Sequence, residues 1–88
     1  AVALNPAYFD AYNNRAFIYL KLGRYQQAVG DYSQAIRLKP DYADAYNNRA
    51  FVYLLTGNRA SGCRDAHQAC KLGTCSTMQL AMNQGLCR

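Results

Sequence analysis

The chain has 88 residues, which suffices for one small domain and excludes a second independent one. Its residues are 51% hydrophobic and 17% charged, a composition that excludes a disordered tail, and no apolar run approaches the roughly 20 residues of a membrane span. Ten Lys and Arg against five Asp, with no Glu, give a net charge of +5, of which residues 45–88 carry +4. This balance permits an acidic partner without requiring one.

An internal duplication organises the chain. Shifted by 34 positions, residues 5–38 align with residues 39–72, and 17 of the 34 pairs are identical. Apolar residues recur at intervals of three and four within each unit, and Gly23 and Gly57 interrupt the pattern at the same place. Each unit is therefore predicted to form two helices joined by a glycine turn, with Pro40 at the joint between units because proline cannot continue a helix.

The two ends of the chain are interpreted from the same register. Residues 1–6 align with residues 35–40, so they correspond to the last turn of a helix from a preceding unit, and we expect the chain to be part of a longer array. Residues 76–86 carry apolar side chains on one side and Gln and Asn on the other. They are predicted to form one further helix that caps the C-terminal end of the stack.

The period, the glycine turn and the small-residue positions together resemble the tetratricopeptide repeat. The resemblance covers residues 1–74 and is carried by small and aromatic residues and a joint proline, namely Ala16, Ala28, Ala35, Tyr12, Tyr19, Tyr32 and Pro40. The second unit departs from the pattern at Gly62 and Ala66. The resemblance implies an all-α helix-turn-helix solenoid of five helices from a bacterial array, with the repeat positions in its core. Its parts are a tail of a missing repeat at 1–6, units at 7–40 and 41–74, and a capping helix at 75–88.

In this family the first helix of each unit lines the concave side of the stack and commonly binds peptides or proteins. The residues that this implies for the chain repeat one chemistry twice: Asp10, Asn13, Asn14, Phe17 and Lys21, then Asp44, Asn47, Asn48, Phe51 and Leu55. Asparagine offers donors and acceptors to a peptide backbone and Phe offers an apolar seat, which predicts peptide binding. The alternative is that the identities record a recent duplication and that the asparagines serve packing between units.

One subclass of the family binds C-terminal carboxylates through Lys, Asn and Arg on these helices. Asn14 and Asn48 match its asparagine position, but Asp10 and Asp44 stand where it has Lys. Because their charge would repel a carboxylate, this mode of binding is not expected.

Arg15 and Arg49 occupy positions where many repeats have Leu. Each could lay its stem on the core and keep its guanidinium near the groove. The alternative, which we favour, is a structural arginine paired with an aspartate.

Four cysteines lie in the last 26 residues. If a helix over 59–72 folds back on the helix over 76–86, Cys63 lies beside Cys87 and Cys70 beside Cys75, which predicts two disulfides. Reduced core thiols are the alternative, and a zinc site is disfavoured because the spacing contains no Cys-x-x-Cys pair and the helices would hold the two pairs about 10 Å apart. Disulfides would imply an exported or periplasmic protein and thiols a cytoplasmic one.

Each of the remaining classes of function requires residues of a particular kind. An enzyme, a cofactor or a metal is not expected, since the chain has one His, no Glu and no glycine-rich phosphate loop. Nucleic-acid binding is not expected, because the basic residues of the second half have no aromatic platform beside them. The sequence predicts a non-catalytic scaffold or adaptor with a peptide or protein ligand. The alternative is a homo-oligomer formed through the edge of the first helix, around Tyr8 and Phe9, and through the apolar residues Phe17 and Phe51.

Overall fold

A computed structural model describes residues 8–87, which form five α-helices joined by short turns. The helices are α1 (Phe9–Lys21), α2 (Tyr25–Leu38), α3 (Ala43–Leu55), α4 (Arg59–Lys71) and α5 (Ser76–Asn83). The predicted all-α class of helical repeats is confirmed, and no helix within residues 8–87 is long and apolar enough to cross a membrane. The tail predicted at 1–6 lies outside the described residues.

Glycine ends the first helix of each pair. Gly23 and Gly57 have φ values of 76° and 83°, in the left-handed region that costs glycine little. In both turns the residue after the glycine donates its backbone N–H to the carbonyl of a tyrosine in the last helical turn, Tyr19 or Tyr53, at 2.8 Å. This Schellman arrangement satisfies a carbonyl that the helix end would leave unpaired. The repeated glycine thus reverses the chain identically in both hairpins.

The small repeat positions and Tyr32 form the core, as predicted. One cluster joins α1, α2 and α3, and its fully buried members are Ala16, Ala28, Tyr32, Ala35, Ala45 and Val52. A second cluster joins α3, α4 and the C-terminal segment, with Ala50, Ala66, Met78, Ala81 and Cys87 buried. Tyr12 and Tyr19, which we expected in the core, are half-buried and pack against the first cluster. Their equivalents on α3, Tyr46 and Tyr53, are half-buried as well. Since α3 contributes to both clusters, it is the central helix of the stack.

The second helix pair has a closer contact at Gly62, where the first pair has Ala28. A Cβ atom at position 62 would lie 2.8 Å from Cγ and Cδ2 of Leu54 and 3.2 Å from the carbonyl oxygen of Ala50. Such distances are shorter than van der Waals contact. Glycine at this position therefore lets the Leu54 side chain lie directly against the backbone of α4.

Two disulfides hold the C-terminal segment on α4. Cys63 is bonded to Cys87, with Cα atoms 5.6 Å apart, and Cys70 is bonded to Cys75, with Cα atoms 4.1 Å apart. Both predicted pairings are confirmed. The first bond fixes the chain beyond α5 and the second closes the turn before α5, so α5 is held to α4 at both of its ends. The helix predicted over 76–86 ends earlier than expected, at Asn83.

Candidate binding face on the first helices

The residues predicted to bind a peptide lie on α1 and α3, five on each helix. Eight of them form two rows, because residues spaced by four, three and four positions share one side of a helix. We call these rows the first-helix face; they are Asp10, Asn14, Phe17 and Lys21 on α1, and Asp44, Asn48, Phe51 and Leu55 on α3. Phe17 is 42% exposed and Leu55 is 51% exposed, and the two carboxylates lie at the surface. Both rows thus offer accessible side chains.

Asn13 and Asn47 lie off these rows. The side-chain oxygen of Asn47 accepts hydrogen bonds from the backbone N–H of Thr77 at 3.0 Å and from the hydroxyl of Ser76 at 3.3 Å. The Thr77 hydroxyl in turn donates to the backbone carbonyl of Asn47 at 3.2 Å. Because the first N–H groups of a helix have no partner within it, Asn47 acts as a cap for α5 supplied by a neighbouring helix. Asn47 therefore has the packing role that the sequence left as the alternative.

Asn13 occupies the equivalent position on α1 but has a different environment. Its side-chain oxygen is buried and has no hydrogen-bond partner among the described residues. The positions that correspond to Ser76 and Thr77 are Tyr42 and Ala43, which have no short hydroxyl to offer. The same residue therefore caps a helix in the second unit and does not in the first.

The carboxylate of Asp10 is held by a residue from the next unit. The Tyr42 hydroxyl donates a hydrogen bond to it at 2.8 Å, and the Tyr42 ring meets Phe9 edge-on with centroids 5.3 Å apart. Burial, helped by the Asp10 hydrogen bond and by the charges of Asp10 and Asp44, raises the pKa of Tyr42 above its ordinary value. Asp44 makes no side-chain hydrogen bond or ion pair within residues 8–87. The two rows thus differ in how far their carboxylates are already satisfied.

The two rows also differ at their last residue. The Lys21 ammonium lies 4.8 Å from the ring centroid of Phe17, in cation–π contact with it. Leu55 stands at the same position on α3, where it borders an apolar opening between α3 and α5. We call this opening the α3–α5 cleft; its volume is about 150 Å³ and its lining is Phe51, Leu54, Leu55, Leu80, Ala81, Gln84 and Leu86.

Arg49 is engaged away from the first-helix face. Its guanidinium donates to both carboxylate oxygens of Asp65, at 2.6 and 2.9 Å, and to the hydroxyl of Ser33 at 3.0 Å. The ring centroids of Tyr46 and Tyr53 lie 5.7 and 5.8 Å from its Cζ atom. Burial acts to lower the pKa of Arg49, but the hydrogen bonds and charge of Asp65 outweigh it and raise the pKa. The arginine therefore joins α3 to α4 and reaches α2.

Arg15 makes the equivalent pair in the first unit. It donates to the two carboxylate oxygens of Asp31 at 2.6 and 2.8 Å, and two tyrosine rings of α1 flank its guanidinium. The structural role that we favoured for Arg15 and Arg49 is confirmed. The aspartates were not identified from the sequence, although a signal was present: Asp31 and Asp65 are an identical pair in the duplication, each 16 residues after its arginine.

The outer edge of α1 is apolar and exposed. Ile18 is 57% exposed, whereas Val52, its equivalent on α3, is fully buried in the core cluster that α3 forms with α1 and α2. Tyr8 is also exposed, at 58%, but Phe9 packs against the first core cluster. We call Tyr8 and Ile18 the α1 edge. Phe9 does not belong to it, contrary to expectation.

Comparison with known families agrees with this architecture. A model described as TPR repeat matches residues 18–57, and a model described as tetratricopeptide repeat matches residues 1–30, so that together they span residues 1–57. Comparison with curated proteins finds no match. The paired helices, their glycine turns and these two matches show that the chain belongs to the tetratricopeptide repeat family.

Proposed function

We propose that the chain is a non-catalytic interaction module that binds an extended segment of a partner protein across the first-helix face. Tetratricopeptide repeats generally mediate protein–protein interactions. The observation that carries the proposal is the repetition on α1 and α3 of a carboxylate, an amide and a phenylalanine in the same order, with accessible side chains. An extended chain that crosses both helices would meet the same groups twice.

The chemistry of the rows suits a peptide. The amides of Asn14 and Asn48 can donate to a backbone carbonyl and accept from a backbone N–H, whatever the peptide sequence. Phe17 and Phe51 supply apolar surface one turn further along each helix. The charges of Asp10 and Asp44 favour a neutral or basic segment over one that ends in a carboxylate. The proposed site omits Asn13 and Asn47, since Asn47 is already engaged with α5.

Selection from a random peptide display library on the immobilised, oxidised chain tests this proposal. The most enriched peptide is synthesised with a fluorophore, and its Kd is measured by fluorescence anisotropy. We expect the double variant Asn14→Ala/Asn48→Ala to weaken binding about 5- to 100-fold, because it removes at least two hydrogen bonds worth about 0.5–1.5 kcal/mol each.

The matched control is Gln26→Ala/Gln27→Ala, which removes two exposed amides from α2 and should leave the Kd unchanged. Circular dichroism checks that both double variants keep the helical content of the parent chain. Equal affinity of the Asn14→Ala/Asn48→Ala variant and the parent, or failure to enrich any peptide, would show that the first-helix face is not a peptide site.

A second candidate function, self-association, is favoured by the exposure of Ile18 where the equivalent Val52 is fully buried. Sedimentation equilibrium would detect a dimer, and Ile18→Glu should abolish it while leaving peptide binding intact. A monomer at the highest soluble concentration would remove this candidate.

A further inference from the structure

The two rows of the first-helix face differ only at their last residue, which is Lys21 on α1 and Leu55 on α3. In the first unit Lys21 covers the ring of Phe17. In the second unit Leu55 takes its place, is 51% exposed and offers no cation to the ring of Phe51. The ring and the leucine instead border the α3–α5 cleft. The duplication thus contains one phenylalanine in contact with a cation and one that borders an apolar cleft.

A second difference between the units, at position 62 on α4, also affects the α3–α5 cleft. Gly62 replaces Ala28, and a Cβ at this position would lie 2.8 Å from Cδ2 of Leu54. Leu54 is one of the residues that line the cleft. Because glycine lets Leu54 lie back against α4, the substitution leaves room in the cleft that an alanine would close.

The opposite wall is held covalently. It is formed by α5, where Leu80 is 41% exposed, and by Leu86, whose neighbour Cys87 is bonded to Cys63 of α4. An apolar cavity of about 150 Å³ accommodates a group the size of benzene. The α3–α5 cleft, of the same volume, therefore has the size and lining for one leucine, methionine or phenylalanine side chain.

The charge beside the cleft indicates what kind of segment would carry that side chain. Asp44 belongs to the same row and makes no hydrogen bond or ion pair with the described residues, whereas Asp10 already accepts a hydrogen bond from Tyr42. Asp44 precedes Phe51 by seven residues, about 10.5 Å along the axis of α3. An extended peptide covers this distance in about three residues.

From this geometry we infer that the α3–α5 cleft is the anchor subsite of the first-helix face: it takes one large apolar side chain of a partner peptide that carries Lys or Arg three or four residues away, opposite Asp44. This inference rests on the proposed peptide-binding function and specifies its ligand. The anchor gives affinity through burial, and the basic residue sets the register of the peptide along α3.

The variant Leu55→Lys tests the subsite, because it gives α3 the residue that already covers Phe17 on α1. Both positions are exposed, so the substitution should leave the fold intact. Peptides enriched on the parent chain should share a large apolar residue three or four positions from Lys or Arg. Their Kd should rise about 10- to 100-fold on Leu55→Lys, as expected for an apolar side chain that loses its site.

The matched control is Leu22→Lys, which makes the same change at a 64% exposed position outside both rows and should keep the parent affinity. Asp44→Asn should raise the Kd about 2- to 5-fold for the enriched peptide, but not for the same peptide with Ala in place of its basic residue. A probe without any peptide sequence provides a second readout. N-acetyl-leucinamide should shift the backbone amide resonances of Leu54, Leu55 and Leu80, and N-acetyl-alaninamide should not.

The outcomes separate the two proposals. If enriched peptides bind Leu55→Lys as tightly as the parent but lose affinity for the variant Asn14→Ala/Asn48→Ala, the face binds peptides and the anchor subsite is wrong. Absence of resonance shifts with N-acetyl-leucinamide likewise overturns the subsite. If Leu55→Lys abolishes a dimer of the unliganded chain, the cleft is filled by a second copy and the inference is overturned. Failure to enrich any peptide overturns both proposals.

Discussion

Asp65 holds the more buried of two equivalent ion pairs, so its removal should destabilise the fold more than removal of Asp31. The side chains of Arg49 and Asp65 are 18% and 8% exposed, against 36% and 11% for Arg15 and Asp31. Asp65→Ala removes two charge-assisted hydrogen bonds and leaves the guanidinium without a carboxylate. Breaking a buried pair in this way costs about 3–5 kcal/mol. For Asp31→Ala we expect about 1–3 kcal/mol, because water reaches its arginine and screens it.

Urea unfolding at neutral pH, followed by circular dichroism with both disulfides intact, measures the two free energies. A chain of this length has a stability of about 4–13 kcal/mol, so the loss from Asp65→Ala should be a large share of the total. The double variant Arg49→Met/Asp65→Leu should lose less than Asp65→Ala alone, because it leaves no buried charge without a partner. Equal losses for Asp65→Ala and Asp31→Ala, or a loss below about 1 kcal/mol for Asp65→Ala, would refute the argument from burial.

Further predictions concern Tyr32 and the disulfides. Burial raises the pKa of Tyr32 from 10.0 to about 12, because it disfavours the phenolate. Below pH 10 the phenol is neutral in both the folded and the unfolded chain, and as the pH rises from 10 to 12 the free energy of unfolding falls because only the unfolded chain ionises readily. Tyr32→Phe should flatten this decline in a series of urea unfolding curves. Its hydroxyl is buried with no partner among the described residues, so Tyr32→Phe should not lower stability at pH 7. Replacing Cys63 and Cys87 by Ala should lower the free energy of unfolding by about 3 kcal/mol, and replacing Cys70 and Cys75 should lower it by about 2 kcal/mol. The two pairs are separated by 24 and 5 residues, and the longer loop constrains the unfolded chain more. Equal losses in urea unfolding would contradict this loop-length argument.

The features predicted correctly from the sequence are those that depend on neighbours close along the chain. Gly23 and Gly57 end their helices because backbone conformation is a local property. The pairing of Cys63 with Cys87 required one further assumption, an antiparallel return over a short turn, and helical rise then placed the sulfurs side by side. Because the units are repeated, the helix ends predicted in one unit could be checked against the other.

The roles of individual polar residues could not be predicted in this way. Asn13 and Asn47 are identical residues in identical local sequences, yet among the described residues only Asn47 caps a helix, by accepting a hydrogen bond from the backbone N–H of Thr77, 30 positions further along the chain. Likewise the aspartate that pairs with each arginine lies on another helix. Such roles are set by what packs opposite a side chain, which the local pattern does not contain.

Specificity on the proposed face would depend on the positions where the two units differ. Residues shared by both units provide a scaffold and a uniform polar face, which by itself would bind a peptide in either of two registers. Leu55, in place of Lys21, lines the α3–α5 cleft, and Gly62, in place of Ala28, lies against Leu54, which lines the same cleft. A ligand that inserts an apolar side chain there is therefore fixed in one register. The positions at which the two units differ therefore distinguish one end of the first-helix face from the other.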